Sequence, residues 1–138
     1  MNSEQKNILK SIGLPEAIIF DTDNTLYPYD PAHYEATKQV ELKIEKMLGI
    51  KKEVFRLAFK NSRNEIKKRL GNVASSHSRL LYMQRTLENL GLGTRILLSL
   101  DLEQTYWRTF LNNCRLFPDA LSFIHLIKSK GIVTANIT

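Results

Sequence analysis

Asp21 and Asp23 stand two residues apart at the end of an apolar run, Ala17-Ile18-Ile19-Phe20. In an extended segment, side chains two apart project to the same face, so the two carboxylates are expected together at the carboxyl end of a strand. Like charges at that spacing repel, and a bound cation or a proton held by one partner relieves the repulsion. Both solutions serve catalysis. One carboxylate can attack phosphorus to form an aspartyl-phosphate, while a neighbouring carboxylic acid protonates the leaving oxygen and then deprotonates water. The same stretch also reads as a turn, since Asp and Asn bond their own backbone. A calcium loop does not fit: its sixth position calls for Gly and holds Leu26, and its twelfth calls for Glu and holds Ala32.

The elements that must hold these acids follow from pattern. Ala17 to Phe20 is strand-like, and residues 4–12 predict a short helix with Ile8, Leu9 and Ile12 on one side, closed by Gly13 and Pro15. Beyond the acids, Tyr27-Pro28-Tyr29-Asp30-Pro31 is a stiff connection, with Asp30 placed as a helix N-cap and Pro31 in the first turn. From Asp30 to about Cys114 the spacing predicts four amphipathic helices with short joints, a compact bundle. The first carries Val40, Ile44, Met47 and Leu48 and stops at Gly49; the second opens near Lys51 and carries Val54, Leu57, Ala58, Ile66 and Leu70. The third begins near Ser76 and carries Leu80, Leu81, Met83, Leu87 and Leu90. A fourth, from about Thr94, holds Ile96, Leu97, Leu100, Tyr106, Trp107, Phe110 and Leu111, with an interruption near Ser99. Pro118 then opens a helix with Ala120, Leu121, Ile124 and Ile127 as its stripe and Gly131 past its end, and 132–138 reads as a strand.

A chain of 138 residues with 43% hydrophobic content is one domain's worth of soluble globular protein. The formal charge of +6 raises the question of nucleic acid. The basic residues between Lys38 and Arg69 are interleaved with Glu41, Glu45, Glu53 and Glu65, however, which is how solvated helical faces read. Nucleic acid is therefore set aside, and a basic surface instead steers anionic phosphorylated substrates. Cys114 is the single cysteine, so no internal disulfide forms and a reducing compartment fits. The first six residues lack the apolar core of a signal peptide, and no run reaches membrane-spanning length. A cytoplasmic location with no membrane partner is expected. His33 and His125 have no metal-ligand company in the sequence.

Phe20-Asp21-Thr22-Asp23-Asn24-Thr25-Leu26-Tyr27 resembles the first motif of the haloacid dehalogenase-like (HAD) hydrolase superfamily, Asp-x-Asp-x-Thr behind a hydrophobic strand. The resemblance implies an α/β Rossmannoid core interrupted by an inserted helical cap bundle: 1–29 opens the core, 30–114 is the cap, and 115–138 returns to the core. It implies Asp21 as nucleophile and Asp23 as acid and then base. Magnesium would be held by the Asp21 carboxylate and the Asp23 backbone carbonyl, with Asn24 and Thr25 at the substrate and Thr25 supporting the loop. Leu116-Phe117-Pro118-Asp119-Ala120 is similar to the family's re-entry from cap to core, and the strand after it to the second motif. Thr138, with Thr134 as the alternative, would there hold the phosphoryl group. Ser76 to Tyr82 is similar to cap segments that face the substrate, so His77 or Arg79 could contact a phosphate, Arg79 being the better bidentate partner. The competing reading is helix capping by Ser75 or Ser76 with Arg79 exposed. Tyr27 and Tyr29 either edge the substrate entrance or pack at the hinge.

The implied activity is magnesium-dependent hydrolysis of a small phosphorylated metabolite. A haloacid dehalogenase would share the fold and attack carbon instead, and a non-catalytic binding or assembly module built on the basic helices is the reading from another class. The family's later lysine and its further pair of metal-binding acids have no counterpart up to Thr138, since Lys128 and Lys130 precede the second motif. The expectation is a truncated product or fragment, weakly active or inactive alone. With about two parallel strands, it would leave sheet edges open to self-association.

Overall fold

The computed structural model describes residues 13–137, so the helix expected over 4–12 and the expected phosphate ligand Thr138 lie outside the described residues. The described chain is mostly helical and contains a small two-stranded parallel sheet. It contains β1 (Ala17–Asp21), α1 (Tyr29–Leu48), α2 (Lys52–Leu70), a 3-10 turn (Ala74–His77), α3 (Arg79–Asn89), α4 (Ile96–Asn113), α5 (Ala120–Ser129) and β2 (Val133–Ile137). It divides into two compact units, one made of the stretches up to Tyr29 and from Cys114 onward, the other Asp30–Asn113.

In the first unit, β1 and β2 pair in parallel, with Ile19 opposite Ala135 and Asp21 opposite Ile137. Alternation along β1 turns Ile18 and Phe20 to one side, where Phe20 meets Phe123 of α5 edge to face at 6.3 Å between ring centroids. Ile127 of α5 and Ile132 are also buried. The opposite face, with Ile19, Val133 and Ile137, is exposed. Helix α5 opens at Ala120 rather than at Pro118, because the Ala120 N–H first closes a turn onto the Phe117 carbonyl at 3.0 Å. Its inward face is Ala120, Ile124 and Ile127, while Leu121, assigned to the stripe by spacing, points outward. Gly131, at φ 73°, takes the left-handed conformation that ends the helix and lets the chain reverse into β2.

The second unit is built by α1 to α4. Helix α1 buries Ala32, Ala36, Val40 and Ile44, an i, i+4 stripe whose small residues at one end bring neighbouring side chains close. Helix α2 buries Phe55, Ser62 and Ile66, and Val54 and Leu57, expected inside, are exposed. Phe59 bridges α2 to α3, stacked on Phe55 at 6.1 Å and edge-on to Tyr82 at 6.1 Å. Helix α1 is tied to its neighbours by polar side chains. Glu41, only 3% exposed, accepts two hydrogen bonds from the Arg56 guanidinium of α2 at 2.8 and 2.7 Å, and Lys43 reaches Asp101 of α4 at 2.6 Å.

Two local expectations are corrected by hydrogen-bond geometry. The cap of α3 is Ser78, whose hydroxyl accepts the Leu81 N–H at 3.4 Å, whereas Ser76 lies in the 3-10 turn and its carbonyl accepts the buried Tyr82 hydroxyl. Helix α4 runs unbroken past Ser99, because that hydroxyl donates to the Arg95 carbonyl at 3.0 Å and needs no gap in the helix. Among the described residues no helix is long and apolar enough to cross a membrane.

Leu102 is fully buried and Leu97, on the same helix, is 83% exposed. Leu102→Ala is therefore expected to lower unfolding free energy by about 2–5 kcal/mol, whereas Leu97→Ala changes it by less than about 0.5 kcal/mol, both read by denaturant titration.

Candidate active-site loop

The regular strand stops at Asp21, and the chain then turns within six residues. Leu26 N–H and Thr25 N–H both return to the Thr22 carbonyl, at 2.9 and 3.3 Å, and Asn24 N–H reaches the Tyr27 carbonyl at 2.8 Å. Asn24 sits at the centre of this turn with φ 59°, a conformation few non-glycine residues adopt and Asn tolerates. Its side-chain oxygen accepts the Tyr29 N–H at 2.9 Å and so fixes the exit of the loop. The Leu26 carbonyl accepts the N–H of Phe117 at 2.9 Å, which ties the loop to the returning segment of the same unit.

This turn places the two acids differently from a simple strand alternation. Asp21 is the last residue of β1, and Asp23 lies beyond it, inside the turn, where it bridges to Tyr27. Both side chains are exposed to solvent. The Asp21 carboxylate is oriented on its two oxygens: Oδ1 accepts the Thr22 N–H at 2.9 Å and Oδ2 the Thr25 hydroxyl at 3.4 Å. Asp23 Oδ1 accepts the Tyr27 hydroxyl at 2.5 Å.

Tyr27 is the loop residue whose role spacing did not reveal. Burial first, then its hydrogen bond to Asp23 and the charge of that carboxylate, push the phenol up to about 12, against a smaller opposing hydrogen bond with Thr22. The hydroxyl thus stays a neutral donor to Asp23 throughout the physiological range. Cys114 completes this corner. Burial, and next the Asp23 carboxylate, push its thiol up, so it is not a poised nucleophile. The i, i+4 spacing of Asp23 and Tyr27 is the only trace of this cluster in the sequence, and nothing in it points to Cys114.

The other sequence-derived residues are placed as follows. Thr134 is the second residue of β2, opposite Ile18, and so lies upstream of the strand end that carries Asp21. Arg79 and His77 belong to the helical unit; His77 is exposed, and the Arg79 guanidinium stacks over Tyr106 at 4.3 Å from the ring centroid. A recess of about 190 Å³ lined by Phe20, Thr25, Leu26, Asp119, Ala120 and Phe123 separates the loop from α5. Neither Asp21 nor Asp23 lines it. Among the described residues no group of three or more His, Cys, Asp or Glu side chains gathers.

No family model matches the chain. It is 35% identical over 127 residues to a curated protein of Halopiger xanaduensis named ribulose-1,5-bisphosphate 5-phosphatase. The match takes in 88% of this chain and 53% of that relative, so the chain spans about half the length of the protein it matches.

The raised Tyr27 group carries a signed expectation. Its contribution to stability is full below the ordinary tyrosine value of 10.0 and is lost as pH rises through about 12. In an ultraviolet titration of the five tyrosines, Tyr27→Phe is expected to remove one phenol's share of the absorbance change near 12. An absorbance change near 12 whose amplitude Tyr27→Phe does not reduce contradicts the Tyr27–Asp23 bond.

Proposed function

We propose that this chain carries the nucleophile and the acid/base of a HAD-like phosphomonoester hydrolase that acts on a small phosphorylated metabolite. The observation that carries the reading is the Asp21 carboxylate, solvent-exposed at the end of a parallel strand and aimed by the Thr22 N–H and the Thr25 hydroxyl. The name of the similar Halopiger xanaduensis protein supports phosphate-ester chemistry from an independent direction. Its named substrate, ribulose 1,5-bisphosphate, is the first compound to try.

In this reading an Asp21 oxygen attacks phosphorus, and the bond from phosphorus to the ester oxygen breaks. The departing oxygen takes a proton from the Asp23 carboxylic acid. Asp23, now a carboxylate, removes a proton from the water that attacks phosphorus of the Asp21 acyl-phosphate, and the bond from phosphorus to the Asp21 oxygen breaks, which releases phosphate and restores Asp21. Tyr27 holds Asp23 in one orientation through both steps.

Magnesium suits the donors of the loop. The Asp21 carboxylate and the Asp23 main-chain carbonyl are hard oxygen donors, and magnesium commonly takes one or two carboxylates with water and substrate phosphate oxygens around it. When bound, it would supply neutralisation of charge on the phosphoryl group.

In the protein as it occurs in its native source, Asp21→Asn is expected to lower phosphate release by roughly a thousandfold or more while leaving the melting temperature nearly unchanged. Chelation is expected to abolish release and added magnesium to restore it. Turnover retained in Asp21→Asn removes that residue from the nucleophile role, and halide release in place of phosphate release assigns the loop to attack on carbon.

A further inference from the structure

Each acid of the loop has two oxygens, and the turn treats the two residues differently. Both oxygens of Asp21 accept a hydrogen bond, Oδ1 from the Thr22 N–H and Oδ2 from the Thr25 hydroxyl. Asp23 accepts one on Oδ1, from Tyr27, and its Oδ2 accepts none among the described residues. Asp23 is exposed, and Oδ2 is its unclaimed oxygen.

The main chain places the Tyr27 hydroxyl at Oδ1. The Tyr27 carbonyl accepts the Asn24 N–H at 2.8 Å, and the carbonyl of the preceding Leu26 accepts the Phe117 N–H at 2.9 Å. Asp23 and Tyr27 also form an isolated parallel bridge, which sets their backbones side by side. A phenol, with an ordinary pKa of about 10, keeps its proton near neutral pH, and an ionised carboxylate only accepts, so Tyr27 is the donor of the pair. A carboxylic acid carries its proton on one oxygen. A proton placed on an oxygen that already accepts a hydrogen bond displaces the donor and leaves one hydrogen bond fewer, so the proton goes to the other oxygen.

We propose that Tyr27 is a positioning residue that occupies Asp23 Oδ1 and so reserves Oδ2 as the single oxygen through which protons pass. The proposal rests on the hydrolase reading above. In the first step the Oδ2–H bond breaks and its proton goes to the ester oxygen, which departs from phosphorus with the electron pair of the P–O bond. In the second, Oδ2 takes a proton from water as the water oxygen bonds to phosphorus. Each displacement runs in line, so the leaving oxygen and the attacking water occupy in turn the position opposite the Asp21 oxygen, and one oxygen of Asp23 serves both. Tyr27 acts on the reaction only through Asp23.

The test uses the protein as it occurs in its native source, with an alkyl phosphate and nitrophenyl phosphate as the two probes. An alkoxide leaves only with a proton, whereas nitrophenolate leaves without one. Release of the alcohol or the nitrophenol is followed in a single turnover, so that the first step alone is read. Tyr27→Phe, which keeps the ring and removes one oxygen, is expected to slow alcohol release about tenfold or more and to change nitrophenol release by less than about twofold. In an Asp23→Asn background the same substitution is expected to cost nothing further on the alkyl phosphate, because its effect passes through Asp23. Asp21→Asn is expected to stop release from both probes, so failure of the hydrolase reading shows there and failure of the proton assignment shows in Tyr27→Phe. Alcohol release unchanged in Tyr27→Phe, an equal loss on both probes, or a full further loss in the Asp23→Asn background would overturn the proposal.

Discussion

The turn that follows Asp21 constrains everything the first unit can do. A parallel strand delivers a carboxylate to its end, but the backbone beyond must reverse at once for Asp23, Asn24 and Thr25 to stand around it. Three main-chain hydrogen bonds within 22–27 make that reversal, and Asn24 accepts the left-handed conformation it requires. The same turn brings Thr25 back onto Asp21 and Tyr27 back onto Asp23, so each acid is oriented by a residue four positions later. Orientation of this kind is what nucleophilic attack and proton transfer need, since both depend on the placement of one oxygen.

Most acidic side chains of the helical unit are paired: Glu41 with Arg56, Asp101 with Lys43, Glu45 with Lys52, and Glu65 and Glu88 with Arg85. All but Glu88–Arg85, which lies within α3, join two helices, and the exposed ones contribute little stability individually. At His33, burial first and then the charges of Arg79 and Arg63 hold the imidazole below its ordinary value, against a smaller opposing effect of Asp30.

Much of the architecture is written in local pattern. The apolar run before Asp21 and the run before Ile137 pair as parallel strands, and the helices over 29–113 follow from spacing and from glycines such as Gly49, which takes φ 68° just past α1. Which apolar residues face inward was less legible. Val54 and Leu57 share a helix with Phe55 and Phe59, and only the aromatic contacts with Tyr82 decide which side is buried. Ser76 and Ser78 are equivalent as caps by residue type, and the intervening 3-10 turn selects Ser78. Asp21 and Thr25 were legible at the loop because motif and spacing name them. The Tyr27–Asp23 bond depends on the turn's geometry, and the His33–Tyr106–Arg79 cluster joins segments that no local pattern connects.

The most direct measurement is to find where a phosphoryl group rests during turnover. The protein is mixed with a phosphorylated substrate and magnesium, quenched in acid, and its peptides are mapped for an acyl-phosphate labile to hydroxylamine. The account predicts a single modified peptide with the phosphoryl group on Asp21. Phosphate released with no modified Asp21, or a phosphoryl group found on Asp23 or on another side chain, would contradict it.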